Sequence, residues 1–324
     1  MPDSLEINLP ILRKAFVDIC KGYSVGEFSK KTIYVKHLGH KEHFDFELIQ
    51  SAFEKQAKED GLLTNQERLD YLKSKSLWTD KDDLEIEKQK NSIKRFEEGK
   101  NKASLPSMVK EYNKEIEKQK ISLNLLVKKR NDLIGLTVES HAEKLVTDHY
   151  ILKNIYLDKN FEQPLYEESD FDDLNDDEIS GLINSYNLST ECCSDKNIKI
   201  LSVQDFYQSY FFLCNDDLRS FYGKKVVDLT YFQVRLGNYS KYFKSLLENN
   251  DISKIPENKR NDPDFIEQFI TTKTNSQKVL DNQKGRNVGL VGASKQDFKD
   301  LGITASKMPD KEMNKEELMK YWGA

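Results

Sequence analysis

The hexapeptide EIEKQK occurs twice in this chain, at Glu85–Lys90 and at Glu115–Lys120, and the two copies start 30 residues apart. Because an α-helix turns by about 100° per residue, one continuous helix would rotate the second copy about 120° away from the first. Between the copies, Gly99 favours the end of a helix, and Pro106 suits the first turn of a new one. The sequence therefore predicts an antiparallel helical hairpin over residues 80–135.

Both arms of this hairpin show the 3-4 spacing of a coiled-coil seam. In the second arm, the predicted seam residues are Val109, Tyr112, Ile116, Gln119, Leu123, Leu126, Arg130 and Leu133. In the first arm, they are Ile86, Gln89, Ile93 and Phe96. Each copy of the repeat thus places an isoleucine and a glutamine on the seam, where a buried amide weakens the contact but can fix its register.

Outside the hairpin, the sequence predicts several helices with capping residues and one strand. The strand is Thr32–Leu38, which is rich in β-branched and aromatic residues. Gly135 is expected to end the second arm, and a further helix should run to about Leu157. Helix starts are predicted at Thr64, Thr79, Thr137, Asn175 and Asp262. The predicted fold is mainly α, with an antiparallel coiled-coil hairpin and at most a small N-terminal β element.

Changes in composition divide the chain into four predicted segments. Residues 1–79 form a small α/β unit, and residues 80–135 form the hairpin. Residues 136–270 form a helical domain that contains the acidic link EESDFDDLNDDE. Residues 271–324 are polar and glycine-containing, which predicts a flexible tail with a short docking helix at its end.

Composition and charge narrow the class of protein. Charged residues make up 32% of the chain and apolar residues 37%, a balance that favours helices with much solvated surface. The net charge of −5 argues against nucleic-acid or anionic-membrane partners. No apolar run approaches the about 20 residues of a membrane span, and the first residues lack the layout of a signal peptide. We therefore expect a cytoplasmic protein with reduced cysteines.

Three stretches suggest ligand sites, but each has a simpler interpretation. His37, His40 and His43 are spaced like metal ligands, yet they straddle Gly39 between a predicted strand and a predicted helix, which favours a polar turn. The run DFDDLNDDEIS lacks the glycine and terminal glutamate of a calcium loop in register. The run GRNVGLVGAS lacks the lysine and hydroxyl residue of a phosphate-binding loop. The sequence therefore predicts no metal, no cofactor and no catalytic residues.

Two further groups of residues are chemically notable. The adjacent Cys192 and Cys193 could be redox-active, but no histidine or basic cluster stands near them in the sequence to lower a thiol pKa. The aromatic residues of Phe206–Phe212 could stack on bases, but lysine and arginine are not interleaved with them. For the two cysteines, packing or incidental exposure is the favoured interpretation, and for the aromatic residues it is packing in a core.

The C-terminal sequence NKEELMKYWG has the features of a short amphipathic helix. Asn314 and Glu317 can form a capping box, and Leu318, Met319 and Trp322 share an apolar face. A helix this short is not stable alone in water. We predict that Leu318, Met319 and Trp322 bind a partner protein; the alternative is that the segment folds back onto its own helical core.

The order of these parts resembles virion-associated and tail-assembly proteins of tailed bacteriophages. The resemblance rests on YVKH at Tyr34–His37, LWT at Leu77–Thr79, RNDLIGLTVESHAEK at Arg130–Lys144, and the polar tail with its terminal helix. It implies a non-enzymatic role in building or chaperoning a tail or baseplate, in the host cytoplasm or the virion, with other virion proteins as partners. The alternatives are a cellular coiled-coil adaptor or regulator, and an enzyme whose site is assembled from scattered residues.

Overall fold

The computed structural model describes residues 8–250, 255–281, 293–294 and 296–297. Within them the chain is mainly helical with one small antiparallel sheet, which confirms the predicted fold class. The chain divides into two compact units, one made of Met1–Lys75 with Ile134–Ser245 and the other of Ser76–Leu133 with Leu246–Ala324. Among the described helices, none is both long and apolar enough to cross a bilayer.

The first unit holds the sheet and most of the helices. Its strands are β1 (Tyr23–Phe28), β2 (Lys31–Lys36) and β3 (Ile155–Tyr156). Its helices are α1 (Leu9–Lys21), α2 (His40–Glu59), α3 (Asn65–Ser74), α6 (Val138–Lys153), α7 (Asp176–Thr190), α8 (Asp195–Leu201), α9 (Asp205–Leu213), α10 (Leu218–Tyr222) and α11 (Tyr231–Glu248). The helices of the second unit are α4 (Asp80–Lys102), α5 (Pro106–Ile134) and α12 (Pro263–Asp281).

The sheet is small, as predicted, but two of its three strands were not predicted from the sequence. Strand β2 corresponds to the predicted strand and pairs with β1 on one side and with β3 on the other. Strand β3 lies in a stretch predicted to be helical as far as Leu157, but α6 ends at Lys153. The reason is long-range, because Ile155 pairs with Val35 and both side chains are fully buried in the core between the sheet, α6 and α7.

A second core in the first unit lies between α1, α8, α9 and α11. Tyr207 and Phe211 are fully buried in it and their rings stack. This confirms core packing for these two residues of the aromatic run, whereas Tyr210 and Phe212 are exposed. The other buried members of this core are Leu12, Ala15, Ile19, Cys192, Cys193, Ile198, Ile200, Leu201 and Leu236.

The two units group the chain differently from the four predicted segments. Residues 1–75 and 134–245 form one unit, because β2 pairs with β3 and α2 packs along α6. The segment assigned to a polar tail from residue 271 begins inside α12, which continues to Asp281. Polar side chains hold this part of α12 to the hairpin turn, since Asn275 Nδ2 donates to the carbonyl of Ala103 at 3.0 Å.

The second unit contains the predicted hairpin, with Ala103–Leu105 joining the arms α4 and α5. Near this turn, the rings of Phe96 and Tyr112 are 6.3 Å apart. At the open end, Arg130 Nε lies 4.0 Å from Asp83 Oδ1. These two contacts confirm that the arms run antiparallel.

The seam follows the predicted register, but the turn does not begin where the sequence suggested. Ile86, Val109 and Ile116 are buried, and Pro106 starts α5. Gly99 does not end the first arm, because α4 continues to Lys102. Its missing side chain instead leaves room for the ring of Tyr112.

Candidate functional site

A triangle of reactive and charged groups lies where α1 meets the 3₁₀ turn Glu191–Cys193. Lys14 Nζ is 2.7 Å from Asp18 Oδ2, one turn further along α1. The same ammonium is 3.4 Å from Cys192 Sγ, and this sulfur is 3.5 Å from Asp18 Oδ2. The Cys193 sulfur completes the group, 3.8 Å from Cys192 Sγ. Lys14, Asp18, Cys192 and Cys193 together are called the thiol cluster.

Local sequence explains how α1 brings its part of the cluster into place. Asn8 caps the helix, and Gly22 ends it in a left-handed conformation with φ of +81°. Leu12 and Ile19 face the core, and Asp18 lies buried beside them. A buried carboxylate needs a partner, which Lys14 supplies at the i, i+4 position.

The surroundings of the two thiols in the cluster shift their pKa values in opposite directions. Hydrogen bonding with Cys193 lowers the pKa of the Cys192 thiol, and the Lys14 ammonium lowers it further, against the opposing effect of burial. For Cys193, the same hydrogen bond and burial raise the pKa. Cys192 is therefore the more acidic member of the pair.

This arrangement corrects the expectation that no basic group would lower a thiol pKa near Cys192. Lys14 lies 178 positions away in the sequence, and tertiary packing brings it within reach of the sulfur. In the sequence, Asp18 could have indicated a buried polar cluster, because it is a charged residue on an otherwise apolar face of a helix. All four cysteines, including Cys20 and Cys214, are free thiols, as predicted.

A second buried polar pair lies in the same unit, between β1 and the end of β2. Ser24 Oγ and His37 Nε2 are 2.9 Å apart, and both side chains are buried. Burial, followed by the charges of Lys14 and Lys224, lowers the pKa of His37 to about 3. The imidazole is therefore neutral at ordinary pH, and its Nδ1 has no hydrogen-bond partner among the described residues.

Of the three histidines that the sequence suggested as metal ligands, the structure describes only the side chain of His37, which hydrogen-bonds Ser24. The side chains of His40 and His43 are not among the described ones. Among the side chains that the structure describes, no group of three or more His, Cys, Asp or Glu residues could hold a metal ion. In the acidic run, Asn175 caps α7 by accepting a hydrogen bond from the Glu178 amide, as predicted.

The hairpin offers a different kind of site on the outward side of α5, opposite its seam. Ile121 is 56% exposed and Leu125 is 66% exposed, and they are one helical turn apart. Three exposed lysines lie on the same side of the helix: Lys114, Lys118 and Lys128. These five residues are called the outer face of α5. It combines an aliphatic pair with three lysines, and the acidic Glu117 and Asp132 are exposed on the same side of the helix.

The partner-binding residues predicted from the sequence, Leu318, Met319 and Trp322, lie outside the described residues. Comparison with known proteins adds nothing to their interpretation, because no protein-family model, no curated protein and no solved structure matches this chain. The likeness to phage tail-assembly proteins therefore stays a prediction.

Proposed function

We propose that the protein is a non-enzymatic assembly protein that binds another protein through the outer face of α5. The observation that supports this is the pair Ile121 and Leu125, which are more than half exposed. A helix in a two-helix hairpin needs one apolar stripe, and α5 already buries Val109 and Ile116 in its seam. Ile121 and Leu125 lie on the opposite side of α5, where they can pack against a helix of another protein.

The chemistry of the outer face defines the partner. Lys114, Lys118 and Lys128 surround the aliphatic pair, and none of them forms an ion pair within the described part of the chain. Opposite charges across a helical interface steer association and select partners. The expected occupant is an amphipathic helix of another protein, with leucine-type residues on one stripe and glutamate or aspartate beside them.

The layout of the sequence supports a more specific version of this proposal. In it, the partner is a tail or baseplate component of a tailed bacteriophage, and the protein acts in the host cytoplasm or in the virion. Leu318, Met319 and Trp322 would then supply a second contact. Replacing Trp322 by alanine should weaken that contact by about 2 kcal/mol or more, on the order of thirtyfold, because large aromatic residues often concentrate binding energy.

The outer face is tested with a charge placed in its apolar centre. Ile121→Glu should abolish co-purification of a stoichiometric partner from the native host, because a carboxylate would be buried in the interface. Asn91→Glu is the matched control, since Asn91 is also exposed but lies on α4. Both variants should keep the thermal midpoint of the wild type.

The outcomes distinguish the proposal from its alternatives. Equal recovery of the partner by the two variants would show that the outer face is not the binding site. If the captured protein is a virion component whose gene adjoins tail genes, the phage version stands. If it is a cellular protein with no such neighbours, the chain is a cellular adaptor.

The C-terminal segment is tested by truncation at Met308. A lower melting temperature without loss of the partner would show that the segment belongs to the protein's own fold.

A further inference from the structure

Two side chains from distant parts of the chain contact one sulfur atom. Lys14 Nζ lies 3.4 Å and Cys193 Sγ lies 3.8 Å from Cys192 Sγ. We propose that Cys192 is an oxidant-sensing site, at which a peroxide converts the sulfur to a sulfenic acid. This goes beyond the proposed function, which uses the hairpin and not the thiol cluster.

Position and surroundings favour Cys192 over the other cysteines. A thiolate is the nucleophile in thiol oxidation, and a neighbouring ammonium stabilises it. Cys192 is 8% exposed and Cys193 only 1%. The Lys14 ammonium is 3.4 Å from the Cys192 sulfur, and the side chain that carries it is 50% exposed. Cys20 and Cys214 are less buried, but burial raises the pKa of Cys20 to about 11. Among the described residues, no lysine or arginine forms a hydrogen bond with the Cys214 sulfur, whereas Lys14 does so with that of Cys192.

The chemical step balances with hydrogen peroxide as the oxidant. The Cys192 thiol first loses its proton to water, and the thiolate attacks one peroxide oxygen. A sulfur–oxygen bond forms as the oxygen–oxygen bond breaks, and sulfur gives up two electrons. The second oxygen leaves as hydroxide and takes a proton from the Lys14 ammonium to become water. Lys14 then recovers a proton from the solvent.

The geometry also favours sulfenic acid over a disulfide as the product. Cys192 and Cys193 are neighbours in the chain, and a trans peptide holds adjacent Cα atoms about 3.8 Å apart. Disulfides usually join Cα atoms about 4.4–6.8 Å apart, so a bond between these two sulfurs would be strained. Asp18 Oδ2, which is 3.5 Å from Cys192 Sγ, is positioned to accept a hydrogen bond from the new S–OH group.

The test uses the folded full-length protein treated with hydrogen peroxide in the presence of dimedone, which adds to sulfenic acids. Mass spectrometry then locates the adduct and follows its rate at each cysteine. We expect Cys192 to be labelled faster than Cys20 and Cys214. Lys14→Met should slow labelling of Cys192 by about tenfold, equivalent to about 1.4 kcal/mol of lost thiolate stabilisation. Asp18→Asn should accelerate it, because a repelling carboxylate is removed.

Arg13→Met is the matched control, since Arg13 is an exposed cation on the same turn of α1, and it should leave the rate unchanged. Labelling of Cys20 or Cys214 before Cys192 in the wild-type protein would overturn the proposal, and so would a disulfide between Cys192 and Cys193 as the main product. Equal rates for Lys14→Met and the wild type would do the same. If Lys14→Met does not fold, the order of labelling in the wild type decides alone.

Discussion

Gly99 of α4 lies so close to Tyr112 of α5 that a Cβ atom on Gly99 would be 2.8 Å from the tyrosine ring. A glycine inside a helix normally destabilises it by about 0.5–1 kcal/mol relative to alanine. At this position the absence of a side chain instead makes room for the tyrosine ring. The hairpin therefore closes tightly beside its turn.

Gly99→Ala should lower the free energy of unfolding by about 1–3 kcal/mol, because overpacking outweighs the gain in helix propensity. Urea denaturation measures the change. In a Tyr112→Leu background the same substitution should be neutral or stabilising, since the ring that it meets is gone. Equal effects of Gly99→Ala in the two backgrounds would mean that the residues are not in contact.

Gln89 places a buried amide oxygen on the hairpin seam, and this Oε1 has no hydrogen-bond partner among the described residues. An unsatisfied buried acceptor costs about 1–3 kcal/mol. Gln89→Leu should therefore raise the free energy of unfolding by about 1 kcal/mol. Gln119→Leu, at the matching position of the second repeat, is the control and should change stability less. Destabilisation by Gln89→Leu would show that the amide has a partner that matters.

Ile116 is the buried isoleucine of the second repeat. Ile116→Ala should reduce the free energy of unfolding by about 2–4 kcal/mol, because a cavity remains in the seam. Leu123 is only partly buried, so its replacement by alanine should cost less, and Lys118→Ala should cost almost nothing. Chemical denaturation of the three variants checks this order. Near-zero effects at all three positions would contradict a packed seam.

His37 should make the protein sensitive to acid. Its pKa is about 3 in the folded state, compared with 6.5 as the ordinary value. Between these two values the unfolded chain binds a proton that the folded chain does not. Stability should therefore fall as the pH drops from about 6.5 towards 3, by at most about 1.4 kcal/mol per pH unit.

The measurement is the urea midpoint at pH 4.5 and at pH 7. His37→Gln should flatten the difference between the two midpoints, because glutamine does not titrate. His141→Gln provides a control for the general effect of losing a histidine. If His37→Gln keeps the full pH dependence of the wild type, the acid sensitivity arises elsewhere.

The features of this fold that could be predicted from the sequence are mostly set by interactions between residues close together in the chain. Thr64 forms its capping box with Glu67, and Pro106 starts α5. The seam register also follows from the order of residues, because side chains three and four positions apart share a helix face whatever surrounds them. These features depend on contacts within about one turn of helix.

Tertiary structure decided the features that depend on distant residues. Gly99 stays inside a helix because Tyr112 occupies the space beside it. Ile155 leaves the helical pattern because pairing with Val35 buries both side chains. Cys192 becomes the more acidic thiol through its hydrogen bond with Cys193, aided by Lys14 from 178 positions away. Residue spacing reports neighbours along a helix or a strand, but burial and charge at a site are set by whichever part of the chain packs against it.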